Sequence, residues 1–201
     1  MLPFVGQYFE KKPEAASAPK AVKLQLGPDK TIELTTDRGV FSYDRIDSGT
    51  QVLLNTIPTP PAGDLLDLGC GYGPIAIWLA GHAPNSQVWA IDSNERAVEL
   101  TGSNASRLGY RNVHSSLPEA VPTDIGFSAI YSNPPIRIGK DPLHTLLMDW
   151  LARLLPQGVA YLVVQRHLGS DSLATWIESQ GFSVQRIRSQ QAYRVLLVTK
   201  G

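Results

Sequence analysis

The chain of 201 residues contains a single cysteine and no long apolar run. One cysteine, Cys70, excludes an internal disulfide and any metal cluster built on cysteine ligands, and it favours a reducing, cytoplasmic compartment. No stretch of about 18 apolar residues occurs, so no membrane-spanning helix is predicted. The first residues also lack the basic and apolar regions that a secretory signal peptide would require.

Net charge is also absent, since 18 basic side chains balance 18 acidic ones. A strong general field for attracting nucleic acid is therefore excluded. The charges are uneven, however: residues 61–130 hold 3 Lys or Arg and 7 Asp or Glu, whereas residues 131–201 hold 8 and 4. This bias predicts a local basic face, with an ordinary solvated surface as the alternative. The histidines lack metal-ligand spacing, so no metal site is predicted.

Composition and patterning divide the chain into three parts. Residues 1–20 are rich in Pro, Ala and Lys, which predicts a poorly ordered arm. Residues 21–60 contain two alternating segments around a Gly-Pro-Asp-Lys turn, which predict a β-hairpin, and Asp47 can cap a short helix that follows. Residues 61–201 alternate strand and helix patterns and form the predicted main domain. This length suits one domain, and a monomer is the simplest expectation.

The repeated strand–helix units predict the fold class of this domain. We expect an α/β, Rossmann-like, doubly wound sheet of seven mostly parallel strands. A short connection joins the last two strands, so the final strand should be antiparallel. One of the helices is predicted from Pro142 to Leu155, because its leucines follow helical spacing. In such a sheet the ligand site lies beyond the carboxyl ends of the strands.

Residues 65–74, Leu-Leu-Asp-Leu-Gly-Cys-Gly-Tyr-Gly-Pro, predict a buried strand, a tight loop and a helix that begins at Pro74. Gly69, Gly71 and Gly73 permit positive φ angles and close approach of a ligand to the backbone. The pattern is typical of a turn that binds a nucleotide-type ligand. Cys70, inside this turn, is interpreted as a small packing residue rather than a nucleophile.

Asp92 ends the next predicted strand, 25 residues after Asp67. A carboxylate in this place can accept hydrogen bonds from the hydroxyls of a ribose. The alternative is that Asp92 is the N-cap of the helix that follows.

A third loop contains Asn133, Pro134 and Pro135. The two prolines fix the backbone and remove two N–H donors, so the Asn133 amide oxygen and the proline carbonyls become rigid acceptors. Such acceptors suit an exocyclic amine, whose lone pair they would direct towards an electrophile. A rigid turn without a chemical role is the alternative.

Together these motifs resemble a known enzyme family. Residues 67–73 resemble motif I of class I S-adenosylmethionine-dependent methyltransferases, and residues 132–135 resemble the Asn/Asp-Pro-Pro-aromatic motif of members that methylate amines. Residues 39–42, 47–50 and 133–140 together resemble bacterial rRNA guanine-N2 methyltransferases. The resemblance spans roughly residues 22–199 and corresponds to the catalytic half of the two-domain members.

The resemblance implies roles for individual residues. The target amine would be held by Asn133 and the Pro134 carbonyl, with Pro135 completing the catalytic motif, while Asp92 would hold the ribose. The implied cofactor site, for S-adenosylmethionine, comprises Phe41, Asp67, Gly69, Cys70, Gly71, Gly73, Asp92, Ser116 and Asn133. The substrate, implied to be rRNA, would meet Ile136, Arg137, Lys140 and Arg166, of which the three basic residues are candidate phosphate contacts or ordinary surface charges.

Two positions depart from the family pattern. Ser116 stands where members often have an acidic residue for the adenine amine, which implies a weaker or water-mediated contact. Ile136 stands where members have an aromatic residue that stacks on a base, although an aliphatic face and the Arg137 guanidinium can also pack on a base.

The sequence thus predicts an N-methyltransferase that acts on rRNA, with guanine N2 as the expected target. Another planar amine or amide, such as adenine N6, a protein glutamine or a small molecule, is an alternative, as is a cofactor-binding scaffold without catalysis. A nicotinamide dehydrogenase is disfavoured, because the turn is Gly-x-Gly-x-Gly rather than Gly-x-Gly-x-x-Gly.

Overall fold

The computed structural model describes residues 15–200. The arm predicted for residues 1–20 therefore lies mostly outside the described residues. The part that is described is held in place: Asp37 accepts hydrogen bonds from the Ser17 hydroxyl at 2.7 Å and from the Ala18 backbone N–H at 2.6 Å. Both residues that donate to Asp37 lie just before the first strand.

The predicted hairpin is present. Strand β1 (Lys20–Gly27) pairs antiparallel with β2 (Lys30–Thr36), so that Val22 lies opposite Leu34. Alternate side chains of β1 are buried, as expected for a ribbon with one face against a core. A two-stranded ribbon is marginally stable alone, so this packing is what maintains it.

The main sheet has seven strands in the order β5-β4-β3-β6-β7-β9-β8. Only β9 runs antiparallel to the other strands, which confirms the predicted fold class. The strands are β3 (Asp64–Leu68), β4 (Gln87–Ile91), β5 (Val113–Ser116), β6 (Phe127–Ser132), β7 (Leu154–Gln165), β8 (Phe182–Gln190) and β9 (Tyr193–Lys200).

Within residues 15–200, five α-helices connect the strands: α1 (Ser48–Leu54), α2 (Pro74–His82), α3 (Glu95–Arg107), α4 (Lys140–Leu151) and α5 (Ser170–Ser179). The helix predicted to reach Leu155 ends four residues earlier, because β7 begins at Leu154 and pairs with β6. Pro156 also disfavours a helical Leu155. No helix within residues 15–200 is long and apolar enough to cross a membrane.

Two hydrophobic cores cover the opposite faces of the sheet. Neighbouring residues of β3 point to different cores, so that Leu65 joins one and Leu66 the other. The first core receives side chains from the hairpin, α1, α2 and α3, and the second from α4 and α5. The division into residues 21–60 and 61–201 stays a prediction, since the hairpin and the sheet share the first core.

One buried side chain joins the hairpin to the glycine turn. Asn104 of α3 is fully buried, and its amide oxygen accepts from the Thr35 N–H at 2.8 Å. Its amide nitrogen donates to the carbonyls of Thr35 at 2.8 Å and Tyr72 at 2.9 Å. The amide therefore completes the open edge of β2 and also fixes the turn that follows β3.

Replacement of Asn104 by alanine should destabilise the protein by about 2–4 kcal/mol, since three backbone groups lose their partner. Urea unfolding followed by circular dichroism would measure this change. Ser103→Ala, at an exposed position of the same helix, is the matched control and should change the stability by less than about 0.5 kcal/mol. Equal stabilities for the two variants would contradict the role of Asn104.

Candidate functional site

A cavity of about 450 Å³ opens at the carboxyl ends of β3, β4, β6 and β7. This is the edge at which ligands bind in sheets of this type. A smaller cavity of about 30 Å³ adjoins it beside the glycine turn. The large cavity is lined by residues 39–42, Asp47, Leu68, Gly69, residues 91–94, Ala97, Pro118, residues 133–138, Leu146, Val163, Gln165, Leu168 and Tyr193.

The glycine turn adopts a backbone that requires glycine. Gly69, Gly71 and Gly73 have φ angles of 80°, 57° and 94°, in the left-handed region. A Cβ at Gly69 would meet nothing within 4 Å, whereas one at Gly73 would lie 3.0 Å from the Thr101 side chain. Gly69 and Gly71 border the cavities and leave space for a ligand, while Gly73 serves close packing.

Asp92 connects this turn to the next strand. Its Oδ2 accepts from the Gly71 N–H and its Oδ1 from the Asn94 N–H, both at 3.0 Å. Burial raises the pKa of Asp92, and these backbone hydrogen bonds oppose the shift. The N-cap of α3 is Asn94, which accepts from the N–H groups of Arg96 and Ala97. Asp92 lines the cavity and retains lone pairs for a further donor.

Asp67 lies behind the turn and borders neither cavity. Its Oδ2 accepts from the Ala76 N–H at 2.9 Å, at the start of α2, where the Gly73 N-cap has no side chain to offer. Its Oδ1 is buried without a hydrogen-bond partner among residues 15–200. Asp67 thus caps α2 from the preceding strand, while its implied contact with the cofactor stays a prediction.

The loop of residues 39–42 covers one side of the cavity. Asn94 donates to the Gly39 carbonyl at 2.8 Å, and Arg96 donates to the Arg38 carbonyl at 2.6 Å. Phe41, 47% exposed, lines both cavities from this loop. The start of α3 therefore holds Phe41 beside the glycine turn.

Asn133 follows β6 at the opposite side of the cavity. Its amide nitrogen donates to Asp47 Oδ2 at 2.8 Å and to the Thr50 hydroxyl at 3.1 Å. The amide oxygen accepts no hydrogen bond from the described part of the chain, and Asn133 lines both cavities. The side chain can therefore offer an acceptor to a donor in the cavity.

Pro134 and Pro135 form a defined turn after Asn133. The Pro134 carbonyl accepts from the Ile136 N–H at 2.8 Å, and Pro135 has φ −76° and ψ 72°. These values are those of an inverse γ-turn. One lone pair of the Pro134 carbonyl is thereby used, and the second is available to a ligand.

The remaining predicted site residues are distributed around this edge. Ile136 and Arg137 line the cavity, whereas Lys140 and Arg166 are exposed and do not line it. Ser116 does not line it either, and its hydroxyl is buried without a partner among residues 15–200. Burial raises the pKa of the Cys70 thiol well above its usual value, in keeping with a packing residue.

Two residues that contact Asn133 were not predicted as site residues. Asp47 was predicted as a helix cap, and both Asp47 and Thr50 belong to the family-like segment of residues 47–50, but neither was given a role in the site. No local pattern links them to Asn133, which is 86 residues from Asp47. Gln165 and Tyr193 also line the cavity, and no sequence motif indicated either of them as a site residue. Within residues 15–200, no three His, Cys, Asp or Glu side chains are grouped to hold a metal ion.

The site therefore combines an open glycine turn, an acidic strand end and an amide acceptor on a Rossmann-like sheet. This combination defines a protein that binds a nucleoside-containing cofactor. The sequence profile of the methyltransferase small domain matches residues 31–197. The chain belongs to that family, which confirms the resemblance predicted from its motifs, and S-adenosylmethionine is the family's cofactor.

Similar proteins include the uncharacterized protein YbxB of Bacillus subtilis (strain 168), 33% identical over 96% of this chain and 98% of that protein. The ribosomal RNA small subunit methyltransferase C of Hahella chejuensis (strain KCTC 2396) is 34% identical over 92% of this chain. The match covers 54% of that enzyme, so the chain spans about half the length of such relatives.

The fold is similar to the structure of the Thermus thermophilus 16S rRNA N2 G1207 methyltransferase RsmC, solved with AdoMet and guanosine. The TM-score is 0.79 at 23% identity, over 94% of this chain and 52% of the solved chain. At this identity the likeness shows the fold alone.

Asp67→Asn should remove a pH dependence of stability. Burial, then the charge of Asp92, raises the pKa of Asp67 to about 8, while the Ala76 hydrogen bond opposes the shift. The native state thus holds this proton more tightly than the unfolded chain. The resulting stability is complete below the unfolded pKa of 3.8 and is lost as the pH rises towards about 8.

Asparagine keeps an acceptor for the Ala76 N–H and cannot ionise, so the variant should lack this decline. Urea unfolding across this pH range should show wild type losing about 1.4 kcal/mol more per pH unit than Asp67→Asn. The control is Asp124→Asn, in an exposed loop, which should follow wild type. Parallel curves for wild type and Asp67→Asn would show that Asp67 is ionised throughout.

Proposed function

We propose that this protein transfers a methyl group from S-adenosylmethionine to an exocyclic amine of a base in rRNA, with guanine N2 as the target. The observation that carries the proposal is the Asn133 amide, whose nitrogen is engaged by Asp47 and Thr50 while its oxygen is left for a donor. The same cavity is lined by Gly69 and Asp92. The proposed acceptor for the amine and the proposed cofactor-binding turn therefore line the same cavity.

The cofactor residues fit S-adenosylmethionine. Asp92 would accept from the ribose hydroxyls, and the open space beside Gly69 would admit the methionine part close to the backbone. Phe41 would pack against the cofactor from the covering loop. Bound S-adenosylmethionine supplies an electrophilic methyl group on a positively charged sulfur. The Asp92 carboxyl group lines this side of the cavity, and its ionised form would complement that positive charge.

Asn133 and Pro134 would hold the amine by its two hydrogens. The Asn133 oxygen accepts one hydrogen, and the second lone pair of the Pro134 carbonyl accepts the other. Two acceptors arranged in this way draw the nitrogen out of conjugation with the ring, so its lone pair can face the methyl group. This is catalysis by positioning and electrostatics. The transfer would leave S-adenosylhomocysteine as the second product, and the surplus proton of the methylated amine would pass to solvent.

Guanine in rRNA is supported by the named relatives. The Hahella chejuensis relative is a ribosomal RNA small subunit methyltransferase, and the Thermus thermophilus structure contains guanosine. Ile136 would pack on one face of the base, while the exposed Arg137 would contact RNA phosphate. Lys140 and Arg166 extend the basic surface beyond the cavity.

The direct experiment uses labelled S-adenosylmethionine with separate RNA, DNA and protein fractions from cells lacking this protein. Label should enter rRNA only, and nucleoside analysis should then give N2-methylguanosine. Labelled DNA would contradict the rRNA proposal and indicate adenine N6 as the target. Labelled protein would likewise contradict it and indicate a glutamine side chain. Cofactor binding by calorimetry without labelling of any fraction would indicate a scaffold without catalysis.

Asn133→Ala should reduce turnover by more than about 100-fold, because an oriented acceptor for the amine is lost. The dissociation constant of S-adenosylmethionine should change little, since the glycine turn and Asp92 are intact. Single-turnover kinetics and calorimetry measure the two effects separately. Asn85→Ala, at an exposed turn, is the control. Unchanged turnover in Asn133→Ala would remove Asn133 from the amine site.

Arg137→Ala should weaken RNA binding and reduce its salt dependence. Loss of one phosphate contact lowers the slope of log K against log salt by about 0.7–0.9. Filter binding to unmodified rRNA fragments between about 50 and 200 mM salt measures the slope. Arg188→Ala changes an exposed arginine on β8, the edge strand farthest from β5, and should keep the wild-type slope. Identical slopes for both variants would exclude a phosphate contact at Arg137.

A further inference from the structure

The orientation of the Asn133 amide depends on residues from a different part of the chain. Asp47 Oδ2 lies 2.8 Å from the Asn133 nitrogen and also accepts from the N–H groups of Gly49 at 2.7 Å and Thr50 at 3.2 Å. The Thr50 hydroxyl lies 3.1 Å from the same Asn133 nitrogen. One carboxylate oxygen thus caps α1 and engages the amide at the edge of the cavity.

A carboxamide has an acceptor end and a donor end of almost the same shape. Rotation by half a turn exchanges them and leaves the packing nearly unchanged, so neighbouring groups decide the orientation. An ionised carboxylate only accepts hydrogen bonds. Asp47 therefore favours the orientation in which the Asn133 nitrogen faces it, and the opposite orientation would bring two oxygens together.

The position of the Asp47 carboxylate is itself restricted. Its two backbone hydrogen bonds tie it to the first turn of α1. A Cβ at Gly49 would lie 2.8 Å from Asp47 Oδ2 and 2.7 Å from the Tyr193 ring. Gly49 thus allows the carboxylate and the tyrosine to pack closely on either side of the helix start. The acceptor for the Asn133 nitrogen is in place without any ligand.

We propose that Asp47, assisted by Thr50, is a positioning residue that keeps the Asn133 oxygen directed at the target amine. Without it, the amide can turn its own N–H donors towards the two N–H donors of the amine, which then lose an acceptor. Asp47 does not touch the base and acts through Asn133. This inference rests on the proposed methyl transfer, which it deepens by adding a residue on which the orientation of the acceptor depends.

Two substitutions at Asp47 separate this role from helix capping. Asp47→Ser retains a good N-cap for α1, but its side chain is too short to reach Asn133. Asp47→Asn retains an oxygen that can accept all three hydrogen bonds. Turnover should fall by about 10–100-fold in Asp47→Ser, by analogy with the loss of an outer residue that orients a metal ligand. It should recover to within about threefold of wild type in Asp47→Asn. Both variants should bind S-adenosylmethionine as wild type does.

A double-variant test then separates action through Asn133 from a general structural effect. Asp47→Ser should cause no further loss of turnover when added to Asn133→Ala, because the group that Asp47 orients is absent. The proposal would be overturned if the fold-loss of turnover in the double variant equalled the product of the two single losses. Wild-type turnover in Asp47→Ser would also overturn it. If Asp47→Ser does not fold, Thr50→Val and Thr50→Ser repeat the comparison, with a loss expected only for valine.

A spectroscopic readout keeps this inference distinct from the proposed function. In the ligand-free protein labelled with [¹⁵N]asparagine, the Asn133 side-chain N–H signals should be protected from solvent exchange. The signals are assigned by their absence in Asn133→Ala. Protection should be lost in Asp47→Ser and kept in Asp47→Asn, and unchanged protection in Asp47→Ser would refute the orientation by Asp47. Absence of wild-type turnover on every fraction would refute the methyl transfer while leaving this result decisive for the amide.

Discussion

Backbone N–H groups at the ligand edge of the sheet are satisfied by three carboxylates, and the site depends on this arrangement. Asp47 accepts from the first turn of α1, Asp67 from the first turn of α2, and Asp92 from the glycine turn and the residue before α3. Helix starts and left-handed turns leave such donors unpaired. Each carboxylate therefore fixes the direction in which an element leaves the cavity.

The same arrangement gives the site its electrostatic character. Burial raises the pKa values of Asp67 and Asp92, and Asp92 is the one of the two that lines the cavity, where a positively charged ligand would favour its ionised form. Asp47 is engaged by donors from two separate segments of the chain. Asp47 and Asp92 thus combine structural hydrogen bonds with roles in the proposed chemistry, whereas Asp67 borders neither cavity. A substitution at Asp47 or Asp92 should be judged on both counts, since loss of structural hydrogen bonds and loss of a role in the proposed chemistry can look alike in an activity assay.

Local sequence patterns were sufficient to predict the fold class and part of the site. The alternation in the hairpin and the glycine spacing of residues 69–73 each determine a backbone shape over a few residues, and both were predicted. The predicted end of α4 was wrong. The helical spacing of leucines continues to Leu154, but that residue pairs with β6 and therefore belongs to a strand. The hydrogen bond between Asp47 and Asn133 could not be predicted, since it arises only when the fold brings the start of α1 to the loop that follows β6.

The contacts of Asn104 have a consequence for the cooperativity of the molecule. This one amide bonds to β2, 69 residues away in sequence, and to the Tyr72 carbonyl within the glycine turn. A local unfolding event that detaches the hairpin must therefore also break a hydrogen bond to the glycine turn beside the cavity. Ligand binding and hairpin docking then become linked equilibria, so that occupancy of the cavity disfavours the opening of a ribbon whose residues line neither cavity.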